Sequence, residues 1–456
     1  MGHVFISAAH KSSGKTTLTL GLAAALARRG LAVQTFKKGP DYIDPMWLGL
    51  ASGRPCRNLD FHMMSRDEIR ASFARHGGAA DVSLIEGNKG LYDGLDLHGS
   101  NSNAALAALL GSPVVLVIDA RGMTRGIAPL ILGYQAFDRS IRIAGVILNN
   151  LGGARHEQKL RAVIAHYTDA EVIGAVPHDE RIAIDERHLG LVPSNEAAAA
   201  AEVVAAVRER VENSVDLDRL LAIAASAAPL PEAMLPAAKA PAGRRLRVGI
   251  ARDAAFGFYY ADDLDALEEA GAEPVALDTL HAGRLPALDA LVIGGGFPEE
   301  RMHELEANEA LRNDLARAIE GGLPVYAECG GLMYLARSIS WNGETARMVG
   351  ALPGDALMHT RPVGRGYARL VGTREAGWLP GEPGEEIAAH EFHYASLENL
   401  PQGLRYAWRV TRGYGVDGAR DGIVRGNVLA SFCHLRGAGE RGWVRPFVEF
   451  ARRQAS

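Results

Sequence analysis

Val4-Phe5-Ile6-Ser7-Ala8-Ala9-His10-Lys11-Ser12-Ser13-Gly14-Lys15-Thr16-Thr17 decides the fold of the first half of this chain. An apolar run ends in a polar loop closed by Gly-Lys-Thr, and Leu18, Leu22 and Leu26 then recur every four residues up to Gly30. The pattern predicts a strand, a phosphate-binding loop and a helix over Lys15 to Arg29. In such a loop the backbone N–H groups of Ser12, Ser13 and Gly14 and the helix start at Thr17 hold phosphate oxygens. Lys15 reaches the terminal phosphates, and the Thr16 hydroxyl is placed to coordinate Mg2+. The strict pattern has Gly where Ala9 stands.

Working outward, Val33 to Phe36, Val82 to Ile85, Val114 to Asp119 and Ile143 to Asn149 are further buried-strand patterns separated by helical ones. Strands alternating with crossover helices predict a doubly wound parallel α/β sheet. An Ala-rich helical region runs to Ala225, and beyond it Pro229, Pro231, Pro236 and Pro241 punctuate a segment of little periodicity. The expected division is a nucleotide-binding domain over 1–226, a linker over 227–243 and a second α/β domain over 244–456. There the strand signals are Leu246 to Ala251, Pro274 to Leu277, Leu288 to Ile293 and Pro324 to Ala327, with helices over Ala261 to Ala270 and Leu305 to Ile319.

The 456 residues carry 49 Lys and Arg against 54 Asp and Glu, a net charge of -5, which is no footprint for nucleic acid or an anionic membrane. Three cysteines make no disulfide framework, and a polar loop soon after Val4 argues against a signal peptide. The apolar stretch from Ala104 to Ile118 is broken by Gly111-Ser112-Pro113, so no membrane span is expected there. A cytoplasmic location is the resulting expectation.

Asp41 and Asp44, around Tyr42, follow the second strand; Glu86 closes the third, and Asp93 lies in the Gly-rich turn after it. Loops at the carboxyl ends of parallel strands open on one crevice, so these acids are expected beside the phosphates. Asp41 and Glu86 would join Thr16 at the metal, while Asp41, Tyr42, Asp44, Glu86 and Asp93 would face substrate. The competing reading gives Asp41 and Asp44 to the turn before Pro45, and Asp93 to its own turn. Asn149, at a strand end on the same side, is either an adenine contact or a helix cap.

In the second half, the strand Pro324 to Ala327 runs into Glu328-Cys329-Gly330-Gly331 and a helix. A cysteine on a sharp strand-to-helix turn is a candidate nucleophile. Backbone N–H groups of Gly295 and Gly296 are candidate oxyanion donors, and His434 is the candidate base. Cys56 and Cys433 lack this context and read as structural. His390-Glu391-Phe392-His393-Tyr394 is a polar cluster, but two histidines at this spacing in an extended segment do not share a face, so zinc is not expected.

These motifs, with Gly39-Pro40-Asp41-Tyr42-Ile43-Asp44-Pro45, Glu86-Gly87 and Gly90-Leu91-Tyr92-Asp93-Gly94, resemble the cobyrinic acid a,c-diamide synthase family across nearly the whole chain. The resemblance implies a P-loop domain similar to dethiobiotin synthetase and, after it, a class I-type glutamine amidotransferase domain. It implies ATP, Mg2+ and glutamine, with the a and c acetates of a tetrapyrrole, cobyrinic or hydrogenobyrinic acid, converted to amides. A homodimer is the expected assembly. Class I amidotransferases usually carry Glu two residues after the catalytic His, where this chain has Arg436, so a Cys329–His434 dyad is expected. Asn88-Lys89 replaces apolar residues beside the crevice, which keeps siroheme or a metal-sirohydrochlorin as the alternative substrate. A nucleotide-switched partition-type ATPase is the reading of another class. It usually needs a Lys where His10 stands, and it leaves everything after Gly243 unexplained.

Overall fold

In this computed structural model residues 2–179, 186–187, 190–196, 199–229, 243–379 and 383–455 are described. The chain forms two compact units, Met1–Pro236 and Ala237–Ser456. Most of the expected linker, 230–242, lies outside the described residues.

The first unit is built on β1 (Gly2–Ala8), β2 (Val33–Lys38), β3 (Arg57–Leu59), β4 (Val82–Glu86), β5 (Val114–Asp119), β6 (Ile143–Leu151) and β7 (Val172–Pro177). They form one sheet in the order β3-β2-β4-β1-β5-β6-β7, with all neighbours parallel. The connections carry α1 (Lys15–Arg28), α2 (Ile43–Ser52), α3 (Arg66–Gly77), α4 (Asn103–Leu110), α5 (Ile127–Phe137) and α6 (Ala154–Tyr167). The two-residue strands β8 (Glu186–Arg187) and β9 (Gly190–Leu191) precede α7 (Ala200–Glu212) and α8 (Leu217–Ala225). The chain leaves β1 towards one edge and returns through β4 to cross β1 into β5. The phosphate loop therefore sits at the switch point of the strand order, where a parallel sheet opens a crevice. The short β3 and the edge strand β7 were not among the expected strands.

The second unit begins as expected with parallel strands and then departs. Its elements are β10 (Leu246–Ala251), β11 (Phe256–Phe258), α9 (Ala261–Glu269), β12 (Ala272–Leu277), β13 (Ala290–Ile293), β14 (Gly295–Gly296), α10 (Met302–Ala307), α11 (Glu309–Glu320), β15 (Val325–Glu328) and α12 (Gly330–Leu335). After them come β16 (Ser338–Trp341), β17 (Glu344–Arg347), β18 (Asp355–Met358), β19 (Gly364–Gly372), β20 (Glu386–His393), β21 (Ala395–Glu398), β22 (Arg405–Arg412), β23 (Arg420–Arg425), β24 (Val428–Ser431) and α13 (Val444–Gln454). The main sheet runs β12-β10-β13-β15-β24-β23-β22-β19-β20. It is parallel from β12 to β24 and antiparallel beyond. A sheet in the order β17-β16-β18-β21 lies apart from it in the pairing. The helix expected as one piece from Leu305 to Ile319 is two, because Asn308 caps the second: its Oδ1 accepts from Leu311 N at 3.4 Å while its Nδ2 donates to the Thr279 carbonyl at 3.0 Å.

Candidate active sites

At the phosphate loop, Gly14 caps α1 at φ 83° with no side-chain cap, so the first N–H groups of the helix are not taken by a capping side chain. Asn149 reaches over from β6 and donates to the Ser13 carbonyl at 2.9 Å. A Cβ at Gly14 would come within 2.3 Å of that amide, which explains glycine here. Asn149 thus braces the loop, a role that neither an adenine contact nor a helix cap anticipates. Lys15 is largely buried, and desolvation lowers it to about 8 against the pull of Glu86 and Asp44.

The Thr16 hydroxyl stands between two carboxylates, 2.6 Å from Glu86 Oε1 and 3.2 Å from Asp44 Oδ2. Both acids also accept from Lys37, at 2.9 Å and 2.5 Å. Burial works against the Lys37 charge, yet Asp44 and Glu86 outweigh it and hold Lys37 well above its ordinary value. Burial pushes Glu86 upward, with Lys37 opposing. Sequence reading missed Lys37, although a lysine on a buried strand running into the acidic loop was the signal available. Asp41, expected at the metal, instead spends Oδ1 on Ile43 N and Asp44 N at 3.0 and 3.1 Å and lies 3.8 Å from Lys37. Tyr42 is the residue before α2 and is buried. Asp93 accepts from Gly90 N at 2.8 Å, closing its own turn, while its charge still acts on Lys15.

Mg2+ prefers oxygen ligands, and the Thr16, Asp44 and Glu86 oxygens fit it. Glu86 Oε2 supports this: it is buried and has no hydrogen-bond partner among the described residues.

In the second unit Cys329 is itself the strained residue, at φ 48° and ψ -103° between β15 and α12. Cys329 N donates to the Ser431 carbonyl at 2.7 Å, tying the turn to the neighbouring strand. The glycines beside it are sterically required. A Cβ at Gly331 would lie 2.3 Å from the Ile293 carbonyl oxygen, and one at Gly330 would lie 3.1 Å from Gly296 N. A Cβ at Gly295 would lie 2.8 Å from His434 Cε1. The expected oxyanion glycines, the cysteine turn and the histidine therefore converge.

His434 is buried and hydrogen-bonded to Cys329. Its Nδ1 lies 3.2 Å from Glu328 Oε2, while Glu328 Oε1 accepts from Leu435 N at 3.0 Å and from the Tyr326 hydroxyl at 2.5 Å. Burial opposes the imidazolium, but Cys329 and Glu328 overcome that and raise His434 to about 10. A third residue thus supports the expected dyad, and sequence reading missed it by looking after the histidine. Arg436, at that place, pairs with Asp262 at 3.3 Å.

The His390–Tyr394 cluster divides. His390 bridges to His434 through both backbone groups, at 3.1 and 2.7 Å, and stacks on its ring at 4.9 Å. Glu391 accepts from Tyr414 N and Gly415 N at 2.7 and 2.9 Å, and His393 stacks on Phe432. These are positioning contacts. Cys56 and Cys433 are buried, and burial pushes both thiols upward.

Comparison with known proteins agrees with this division. Residues 5–192 match the CobQ/CobB/MinD/ParA nucleotide binding domain, and residues 247–441 match the CobB/CobQ-like glutamine amidotransferase domain. The cobyrinate a,c-diamide synthase of Magnetococcus marinus is 47% identical, with 99% of this chain and 98% of that protein covered. That of Methanosarcina acetivorans is 43% identical, covering 98% and 95%, and that of Archaeoglobus fulgidus is 40% identical, covering 99% and 98%. Among the described residues no helix is long and apolar enough to cross a membrane.

Proposed function

This chain belongs to the cobyrinate a,c-diamide synthase family, and from that premise we propose how its two sites divide the reaction. The protein is a glutamine-hydrolysing amide ligase that amidates a tetrapyrrole in cobalamin biosynthesis. The relatives do not favour siroheme or a nucleotide switch.

A carboxylate is a poor acyl donor because its leaving group is oxide. In the first unit an acetate oxygen of cobyrinic acid attacks the γ-phosphorus of ATP; the P–O bond to ADP breaks, leaving an acyl phosphate. Lys15 and Lys37 supply two positive charges where negative charge moves from the acetate to ADP. Thr16, Asp44 and Glu86 would hold Mg2+, which would neutralise phosphate oxygens. Asn149 keeps the loop in shape. Ammonia then attacks the acyl carbon and inorganic phosphate departs.

Ammonia comes from the second unit. The Cys329 sulfur attacks the glutamine amide carbon, with the backbone N–H groups of the Gly295–Gly296 segment as donors to the developing oxyanion. His434, held protonated by Cys329 and Glu328 and so carrying the proton that the attacking thiolate gave up, passes it to the departing ammonia and afterwards takes one from the water that hydrolyses the thioester, releasing glutamate and the thiolate.

The observation that carries this division is the Cys329–His434–Glu328 chain, a complete acyl-transfer device separate in sequence from the phosphate loop. The test is Cys329→Ala. Amidation of cobyrinic acid from glutamine should vanish, and amidation from a high ammonium concentration should persist. Loss of both in a folded variant refutes the division.

A further inference from the structure

Beside the phosphate loop stands a polar turn that the mechanism does not use. Asn88, Lys89 and Gly90 come directly after β4 and Gly87, and Lys89 has its backbone in the left-handed region at φ 44°, which glycine adopts more readily than lysine. The turn is held from below by the fully buried Asn103. Its Oδ1 accepts from Asn88 N at 3.1 Å, and its Nδ2 donates to the carbonyls of Asn88 and Gly90, the latter at 2.9 Å. A Cβ at Gly90 would come within 2.9 Å of the Ala9 carbonyl oxygen, and Leu91 N donates to the Ala8 carbonyl at 2.8 Å. The turn is thus locked against the start of the phosphate loop, with a lysine in a backbone setting it does not favour.

The side chains of this turn are ordered by a second buried lysine. Lys38, at the end of β2 and 4% exposed, donates to Asn88 Oδ1 at 3.1 Å. An ammonium can only donate, so it fixes the amide with Oδ1 towards itself and Nδ2 away. Nδ2 then lies over Gly39, where a Cβ would sit 3.1 Å from it, and it has no acceptor among the described residues. Lys89 is exposed and likewise has no hydrogen-bond or ion-pair partner among them. The charges acting on Lys38 are Asp60 on one side and Lys89 and Lys37 on the other, and burial lowers it to about 8. Unlike Lys37, which shares Asp44 and Glu86, Lys38 and Lys89 form no salt bridge among the described residues.

Resting on the amide-ligase reading above, we infer that the Asn88–Lys89 turn is a carboxylate-receiving subsite for the tetrapyrrole. Asn88 Nδ2 and Lys89 Nζ donate to a peripheral carboxylate other than the one being phosphorylated, and Lys38 is the positioning residue that orients the amide. A tetrapyrrole carries several carboxylates around its rim. A fixed anion contact beside the loop would set which acetate reaches Lys15.

The test measures KM for cobyrinic acid at saturating ATP and ammonium, which removes the glutamine site from the measurement. Lys89→Gly removes the charge and suits the backbone, so it should melt no lower than wild type. It should raise KM for cobyrinic acid about tenfold, in line with losing a charged hydrogen bond at a partly exposed site. KM for ATP should stay within twofold, and Lys89→Arg should stay near wild type. Wild-type KM should rise with added salt, and that of Lys89→Gly should be nearly flat. Asn88→Asp, which keeps the partner of Lys38 but removes the donor, should raise KM at least as much. Turnover by wild type with an unchanged KM in Lys89→Gly overturns the subsite alone, as does a fall in kcat at constant KM. No turnover of cobyrinic acid by wild type overturns the functional reading and the subsite with it.

Discussion

Replacing Glu328 by Gln keeps the shape of the side chain and removes the charge that faces His434. The rise of His434 from 6.5 to about 10 corresponds to about 5 kcal/mol in favour of the imidazolium, by 1.36 kcal/mol per pH unit, shared between Cys329 and Glu328 against the cost of burial. Glu328 is one of the two groups that overcome burial, so with its neutral isostere His434 should titrate lower than in wild type. The sign is set by the direction of the shift. Because the folded value lies above the unfolded one, the stabilising contribution is complete below about pH 6.5 and is lost as pH rises towards 10. Glutaminase activity that needs the imidazolium should therefore fall on the alkaline side, and in Glu328→Gln this limb should move to lower pH. At neutral pH kcat/KM for glutamine should drop about 10²–10⁴-fold, the range spanned by loss of one oxyanion donor and neutralisation of the acid that orients a catalytic histidine. The assay is glutamate release against pH, with ammonium-dependent amidation as the control for an intact first unit. Wild-type glutaminase with an unmoved alkaline limb would refute the role of Glu328.

Three other variants probe contacts that the geometry makes specific. Asp44→Asn leaves Thr16 and Lys37 without one of their shared carboxylates and should cut ammonium-dependent amidation about 10²-fold, whereas Asp93→Asn keeps an oxygen for Gly90 N and should cost less and accumulate monoamide; mass spectrometry of the products distinguishes them, and equal effects would contradict the placement. Gly331→Ala drives a methyl to within 2.3 Å of the Ile293 carbonyl, so it should destabilise the second unit by at least about 2 kcal/mol in urea unfolding and abolish most glutamine-dependent activity; a soluble, fully active variant would show that the turn can relax.

The parts legible in the sequence were those where one short segment carries the whole signal. The phosphate loop and the Cys329 turn each need a strand, small residues and a helix in immediate succession, and both were placed to within a residue or two. Apart from the extended segment at His390 to His393, the antiparallel half of the second sheet was not read, because its strands, such as Arg405–Arg412, mix charged and apolar residues. The break at Asn308 was missed since no Gly or Pro marks it and helix-forming residues run on both sides, with Leu311 and Leu315 four residues apart. Lys37 and Lys38 show a deeper limit. Adjacent in sequence and equal in composition, they are sent by the pleat to opposite faces, one to Asp44 and Glu86 and the other to Asn88.

Glu328 was invisible for a related reason. A carboxylate serving a histidine was sought two residues after His434, where Arg436 stands, because sequence offers no other way to count. In the sheet, β15 and β24 are parallel neighbours with Glu328 opposite Ser431, so the end of one strand lies level with the segment leading to His434 on the other. An acid at either strand end can reach Nδ1. With Arg436 paired to Asp262 and Glu328 additionally fixed by Leu435 N and the Tyr326 hydroxyl, the acid on the cysteine's own strand takes that place. One consequence separates this arrangement from one with the acid after the histidine. Glu328 immediately precedes Cys329, so a distortion of the strained turn moves nucleophile and acid together, and Gly331→Ala should shift the alkaline limb of any residual glutaminase in the same direction as Glu328→Gln.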